Sequence, residues 1–208
     1  MLAGAGKTVI CSKAIKHLTR NRAISDYNPS IIYFFFDFSD VAKQSVEGLI
    51  RSLIFQLIAK LEEVPNVVQK LYSYHQNAPS LTALPPLEDW RDILISLLRT
   101  TEASFVFIDA LDECAEAEAS LLQEILQKLF KETGSRAKWF LTCRPSQSSI
   151  SMLQDIGFAH ILMDTGVIDN DIERYLSTRL KKDTNLASFG PLARDLIVSQ
   201  LKSKSSGM

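Results

Sequence analysis

Cysteine and histidine are scarce in this sequence, which holds three of each among its 208 residues. The cysteines, Cys11, Cys114 and Cys143, lie far apart and form no Cys-x-x-Cys pair and no cluster with histidine. Zinc sites and disulfide frameworks need closely spaced or paired cysteines, so neither is the basis of this fold. We expect the three thiols to be reduced and mostly buried, as in a cytoplasmic protein.

An excess of charge of one sign and a long apolar run are also missing. The 23 basic residues nearly balance the 24 acidic ones, and the net charge is −1. A chain without a basic field has no general attraction for nucleic acid. No apolar run reaches the roughly 18 to 20 residues that span a membrane, and the N-terminus lacks the pattern of a signal peptide. We therefore predict a cytoplasmic protein with neither nucleic acid nor membrane as a partner.

Apolar residues make up 46% of the chain, which suffices for one core and favours a single domain. Short continuous apolar runs predict buried strands at residues 31–36, 104–108, 139–141 and 160–163. Apolar residues at helical spacing predict helices over residues 8–20, 45–61, 65–76, 90–98, 121–130, 149–156, 170–180 and 192–202. Strands that alternate with helices indicate an α/β fold with a mainly parallel sheet and helices on both faces.

Several polar residues and one proline mark the ends of these elements. Asp37, Ser39 and Asp40 follow the first strand and favour a turn with caps over a catalytic role. Asp169 or Asn170 is expected to cap the helix over residues 170–180. Pro191 is expected to start the last helix, because proline suits the first helical position.

The first motif, Gly4-Ala5-Gly6-Lys7-Thr8, forms a loop at the start of the first predicted helix. Such a loop offers backbone N–H groups, an ammonium and a hydroxyl to one small volume, which suits a Mg-bound polyphosphate. It is most of a P-loop; the alternative is a chance Gly-Lys-Thr at a helix start. The full motif has a glycine five positions before Gly6, where this chain has Met1, and follows an apolar strand. We therefore expect the chain to begin inside its phosphate loop, with the first strand missing.

The second motif follows the apolar run 104–108 and reads Asp109-Ala110-Leu111-Asp112-Glu113-Cys114. An acidic residue at the carboxyl end of a buried strand faces the crevice where α/β sheets bind ligands. Asp109 is a candidate to bind Mg2+ directly or through water. Asp112 or Glu113 would orient an attacking water; alternatively, these two residues only cap a helix.

The third motif, Thr142-Cys143-Arg144-Pro145, ends the next strand. Arg144 is a candidate to sense or stabilise a γ-phosphate, because phosphoryl transfer needs charge neutralisation. Taken alone, an arginine after a strand does not indicate a phosphate site. Arg144 gains meaning from its position after a P-loop and a strand that ends in aspartate.

In this order, the motifs resemble the NACHT-type nucleotide-binding domain of the STAND class of P-loop NTPases, as found in fungal heterokaryon-incompatibility and nephrocystin-like proteins. The resemblance extends over nearly the whole chain, and the acidic motif is its most specific part. The segments that carry it are Gly4-Ala5-Gly6-Lys7-Thr8, Tyr33-Phe34-Phe35-Phe36, Phe107-Ile108-Asp109-Ala110-Leu111-Asp112-Glu113-Cys114, Trp139-Phe140-Leu141-Thr142-Cys143-Arg144-Pro145 and Asp171-Ile172-Glu173-Arg174-Tyr175-Leu176.

For the fold, the resemblance implies a P-loop NTPase three-layer sandwich over residues 1–165, followed by the start of a C-terminal helical subdomain over residues 166–208. The sheet of such a sandwich is mainly parallel, and its first strand is missing here. The family places that strand between the strand before Arg144 and the following one. We expect the chain to be truncated at both ends.

For the site, the resemblance gives Lys7 and Thr8 the Walker A role, Asp109 with Asp112 and Glu113 an extended Walker B role, and Arg144 the sensor role. It also implies a switch that exchanges NDP for NTP, either ATP or GTP with Mg2+, and that hydrolyses the nucleotide slowly to reset. Such a switch forms homo-oligomers on activation and serves other domains of a larger, repeat-containing parent protein.

Two other functions compete with the switch. A truncated or degenerate domain would keep the fold and act only as a protein-interaction piece. A P-loop kinase acting on a small molecule is less favoured, because no arginine-rich lid segment follows the later strands.

Overall fold

The computed structural model describes residues 6–22, 29–76, 85–161, 165–183, 186 and 189–205. These residues form eight α-helices and three β-strands. In chain order they are α1 (Lys7–Arg22), β1 (Ser30–Phe35), α2 (Val46–Ile58), α3 (Asn66–Gln76), α4 (Leu87–Thr100), β2 (Ser104–Asp109), α5 (Ala119–Thr133), β3 (Ala137–Leu141), α6 (Gln147–Ile156), α7 (Thr165–Lys182) and α8 (Pro191–Ser205). Among the described helices, none combines the length and the apolar character that crossing a membrane requires.

The strands form one parallel sheet in the order β1-β2-β3. Phe35 pairs with Asp109 and Ile108 pairs with Leu141, so all three strands finish at one end of the sheet, here called the carboxyl end. Parallel neighbours need crossover connections, which α2 to α4 and then α5 supply. The predicted α/β fold with a mainly parallel sheet is therefore confirmed.

One face of the sheet packs against α2, α4, α5 and α6. Its core joins Ile32 of β1 and Ile108 of β2 to Leu53, Leu94 and Leu126 of the helices, all at most 1% exposed. The strict helical spacing of apolar residues in α2 forms this face, and Ser45 caps the helix by accepting the Gly48 N–H at 3.0 Å. Burial of each of these side chains stabilises the fold by roughly 1.5–3 kcal/mol.

The other face of the sheet carries α1. Cys11 of α1 packs against Ile31 of β1 and Phe107 of β2, and all three are buried. The result is the three-layer arrangement expected from the sequence, with α1 held directly over the centre of the sheet. Cys11 is fully buried as predicted, whereas Cys114 and Cys143 are half-buried; all three thiols are free.

The outer edge of β1 is closed by side chains of α2. Gln56 accepts the Tyr33 N–H at 3.0 Å and donates to the Tyr33 carbonyl at 2.7 Å, as a neighbouring strand would. Lys60 donates to the Ile31 carbonyl at 2.5 Å. Because these three backbone groups already have partners, another strand cannot easily pair with β1 there.

Turns follow β1 as the polar residues there predict. The Asp37 carboxylate accepts the Ser39 N–H at 2.9 Å and its hydroxyl at 2.6 Å, and these bonds lower the pKa of Asp37. Asp40 accepts the Ala42 N–H at 3.1 Å and caps a short 3-10 turn. The interpretation of these residues as turn and cap residues is confirmed.

Two predictions about the C-terminal part need correction. The strand predicted at residues 160–163 was wrong for His160 and Ile161, which lie in no strand, and Ile161 is 94% exposed. Residues 162 and 163 lie outside the described residues.

Helix α7 begins at Thr165, so Asp169 and Asn170 lie inside it and do not form its cap. No proline precedes them, so the helix extends a further turn toward the N-terminus. Helix α8 begins at Pro191 as predicted.

Candidate functional site

The start of α1 presents unpaired backbone donors at the carboxyl end of the sheet. Gly6 has a positive φ of 82°, and the first helical hydrogen bond runs from the Ile10 N–H to the Gly6 carbonyl at 2.9 Å. The N–H groups of Lys7, Thr8 and Val9 therefore precede the hydrogen-bond ladder of the helix, as in the first turn of any α-helix. Two residues of the predicted loop, Gly4 and Ala5, lie outside the described residues.

Thr8 joins this helix start to the end of β2. Its hydroxyl donates to Oδ2 of Asp109 at 2.6 Å, a contact between residues 101 positions apart. Asp109 is the last residue of β2 and is 2% exposed, whereas Thr8 is exposed. The contact thus joins an exposed threonine to a buried carboxylate.

Thr142, directly after β3, holds the second oxygen of the same carboxylate. Its hydroxyl donates to Oδ1 of Asp109 at 2.6 Å and accepts the Ala110 N–H at 2.9 Å. Thr142 lies in the third sequence motif, which by itself predicts no role for it. The clue available in the sequence was its position: β2 and β3 both run out at this end of the sheet, so residues that follow them are neighbours.

Ala110 turns the chain sharply after Asp109. Its φ of 58° and ψ of 51° are left-handed, and within the described residues no other non-glycine residue has a positive φ. This conformation costs roughly 1–2 kcal/mol for an ordinary L-residue. It leads into a 3-10 turn, Leu111–Glu113, whose Leu111 N–H bonds to the Thr142 carbonyl at 2.9 Å. The acidic motif is therefore bound to Thr142 by three hydrogen bonds.

Asp112 contacts the predicted sensor arginine. Its Oδ1 accepts the backbone N–H of Arg144 at 2.8 Å, and its Oδ2 lies 3.1 Å from Nε of the same residue. The structure therefore brings Asp112 and Arg144 together, with each side chain engaged by the other.

Glu113 contacts the loop after β1. Its Oε2 accepts the Phe38 N–H at 3.1 Å. Neither Asp112 nor Glu113 caps the 3-10 turn in which it lies. Ala110 is in the N-cap position of that turn, and no side chain makes a capping hydrogen bond there. The two acids instead link the acidic motif to the loops after β1 and β3.

Two thiols near the site, those of Cys11 and Cys143, have raised pKa values. Burial and the Asp109 carboxylate raise the pKa of Cys11 to about 12. Burial and then the Asp112 carboxylate raise the pKa of Cys143, and the Lys7 ammonium acts in the opposite direction. Lys7 is the first residue of α1 and directly precedes Thr8, so its backbone lies at the carboxyl end of the sheet. The lysine, both hydroxyls and the acids converge on the carboxyl end of the sheet.

A separate groove lies between α4 and α5, with a cavity volume of about 360 Å3. Its charges pair within the groove: Arg99 with Glu132, and Lys128 with Asp92 at 3.7 Å. Thr100, one of its lining residues, lies just before β2, so the groove is at the amino end of the sheet. It is not part of the candidate site.

Protein ligands for a metal are few at the candidate site. Within the described ranges, no group of three or more histidine, cysteine, aspartate or glutamate residues is placed to hold a metal ion. One hydroxyl and one carboxylate nevertheless fit Mg2+, which usually takes one or two protein carboxylates and completes its shell with phosphate oxygens and water. Thr8 and Asp109 are thus a donor set suited to a metal that arrives with a phosphate ligand.

Comparison with protein families gives a match over most of the chain. The family model of the nephrocystin 3 N-terminal domain matches residues 2–144, a range that contains every candidate site residue from Gly4 to Arg144. No curated protein and no solved structure matches the chain. The nephrocystin-like part of the predicted resemblance is confirmed, and the match covers well over half of the 208 residues. The chain therefore belongs to the nephrocystin 3 N-terminal family.

Proposed function

We propose that this domain binds a Mg-bound nucleoside triphosphate, ATP or GTP, and acts as a nucleotide switch of the NACHT type with slow hydrolysis. The observation that carries the proposal is the 2.6 Å hydrogen bond from the Thr8 hydroxyl to the buried Asp109 carboxylate. A hydroxyl at the helix start of the phosphate loop and a carboxylate at the end of another strand are the two protein ligands that P-loop NTPases offer to Mg2+.

Each part of the ligand has a partner in the chain. The N–H groups at the start of α1 and the Lys7 ammonium suit the β- and γ-phosphates, because a helix N-terminus attracts negative charge. Thr8 and Asp109 would hold Mg2+, which supplies charge neutralisation on the phosphates when bound. Gly4, Ala5 and Gly6 would complete the phosphate loop.

The remaining acids support slow turnover rather than fast turnover. Asp112 and Glu113 are the candidates to orient water, but Asp112 holds Arg144 and Glu113 holds the Phe38 N–H. Asp112 uses both carboxylate oxygens for Arg144 and would have to release one before it could act on water, whereas Glu113 uses only Oε2 for Phe38. Arg144 would likewise leave Asp112 to contact a γ-phosphate.

The resemblance also extends the proposal beyond the site. We propose a cytoplasmic protein in which residues 1–165 are the nucleotide-binding unit and residues 166–208 begin a helical subdomain. The unit would serve other domains of a larger parent and form homo-oligomers on activation.

Thermal melting tests the proposed ligand. At nucleotide concentrations about 100-fold above Kd, binding stabilises a protein by about 2.7 kcal/mol, which corresponds to a rise in Tm of roughly 5 to 10 °C for a chain of this size. We expect this rise with Mg-ATP or Mg-GTP in the wild type and its loss in Lys7→Ala. Lys16→Ala is the matched control, because Lys16 is an exposed lysine on the same helix. No shift at millimolar nucleotide would overturn the proposal and favour a domain that acts only in protein interaction.

A further inference from the structure

We infer that Thr142 is a positioning residue that sets Asp109 for Mg2+ in the proposed nucleotide site. The inference rests on the proposed function and adds a residue to it. Asp109 is 2% exposed and Thr142 is 9% exposed, so their contact is shielded from water. Hydrogen bonds to a charged group that are shielded from water are the stronger kind.

The hydrogen bonds of Thr142 fix the direction of its hydroxyl proton. Its oxygen accepts the Ala110 N–H at 2.9 Å, so the proton is free to point at Oδ1 of Asp109, 2.6 Å away. With Oδ1 held in this way, Oδ2 stays on the side of Thr8, where the ligand would lie. Thr142 therefore determines which carboxylate oxygen faces the site.

Partners of this kind matter for metal binding. Groups that hydrogen-bond to a metal ligand orient it, and their removal typically lowers metal affinity about 10- to 100-fold. Without Thr142, Oδ1 would lose its donor, and the carboxylate could rotate away from Thr8.

A purely structural threonine behaves differently, and this chain contains one for comparison. Thr133 is also buried, at 3% exposed, and its hydroxyl donates to the Leu129 carbonyl at 2.7 Å within α5. It ends α5 just before β3 begins, at the amino end of the sheet. Thr133→Val therefore removes a buried hydroxyl of the same type without touching Asp109.

The experiment measures the Kd of ATP and of GTP, each in excess Mg2+ and each in EDTA, for the wild type, Thr142→Val, Thr142→Ser and Thr133→Val. The ratio of the two Kd values is the gain in affinity from Mg2+. We expect Thr142→Val to reduce this gain about 10- to 100-fold, with affinity in EDTA unchanged. Thr142→Ser should restore the gain because it keeps the hydroxyl, and Thr133→Val should retain it.

The outcomes separate the inference from the proposed function. A full Mg2+ gain in Thr142→Val would overturn the inference and leave the proposed function standing. The same holds if Thr133→Val loses as much as Thr142→Val. A wild type that gains nothing from Mg2+ would overturn both. If Thr142→Val does not fold, Thr142→Ala measured beside Thr142→Ser decides the question by the same ratio.

Discussion

Asp112 holds Arg144 by both its backbone and its side chain. One carboxylate oxygen accepts the Arg144 N–H at 2.8 Å, and the other lies 3.1 Å from the guanidinium Nε. Because the Arg144 side chain is 49% exposed, the ion pair is worth at most about 1 kcal/mol. A phosphate could therefore draw the guanidinium away at small cost, while the backbone bond keeps the loop in place.

This arrangement predicts that Asp112→Asn and Glu113→Gln spare nucleotide binding and lower turnover. The amide oxygens can still accept the Arg144 and Phe38 N–H groups, so both loops should keep their positions. The amides cannot act as bases, and loss of such a group typically costs about 100-fold or more in rate. Nucleotide Kd and phosphate release measure the two effects.

Glu116→Gln is the control for these two variants, because Glu116 is an exposed acid in the following 3-10 turn. It should turn over like the wild type. Equal turnover in Asp112→Asn, Glu113→Gln and Glu116→Gln would remove the roles assigned to the two acids.

The fold and part of the site could be predicted from the sequence for a physical reason. Short apolar runs and the helical spacing of apolar residues are local patterns. They predicted the three described strands and the helices packed on them. Asp109 could be identified because it directly follows one such run. Thr142 could not be assigned a role, because its contact depends on the register of β2 and β3, which pairs Ile108 with Leu141.

Other features of the structure could not be read from the sequence, because they depend on contacts between distant residues or on the position of a helix end. Asp112 and Glu113 looked like candidates for water orientation or helix caps, and their bonds to Arg144 and Phe38 became visible only in the structure. The start of α7 was misplaced because polar residues such as Asp169 also occur inside helices. Aspartate and asparagine favour helix caps without being confined to them, so they do not fix a helix start by themselves.

The core of α2 predicts a large stability difference between two neighbouring substitutions. Leu53 is fully buried, whereas Phe55, two residues later, is 72% exposed. Leu53→Ala should lower the free energy of unfolding by about 2–5 kcal/mol, because it leaves a cavity. Phe55→Ala should change it by less than about 0.5 kcal/mol. Urea unfolding measures both, and similar losses would contradict the assigned core face.

Cys11 predicts a specific change of stability at high pH. Burial and then Asp109 raise its pKa from an ordinary value of 9.0 to about 12 in the folded state. Below pH 9 the thiol is protonated in both states. Between pH 9 and about 12 it ionises in the unfolded state and stays protonated in the folded one, so it lowers the stability of the fold as pH rises.

Cys11→Ala removes this ionisation. We expect its stability to lie below that of the wild type by a constant amount from pH 7 to 8.5, because a cavity is left, and the gap to shrink as pH rises above 9. Urea midpoints at a series of pH values measure the gap. A gap that stays constant or widens up to pH 11 would contradict the assigned environment of Cys11.

The central claim is that Thr8 and Asp109 act together on one Mg-bound nucleotide. A double-mutant cycle with Thr8→Val, Asp109→Asn and the double variant tests it, with the Mg2+ gain in nucleotide affinity as the measured quantity. We predict that each single variant loses most of the gain and that the double variant loses little more, a coupling of about 1–3 kcal/mol. Losses that add fully in the double variant, or a gain that survives in Asp109→Asn, would contradict the claim.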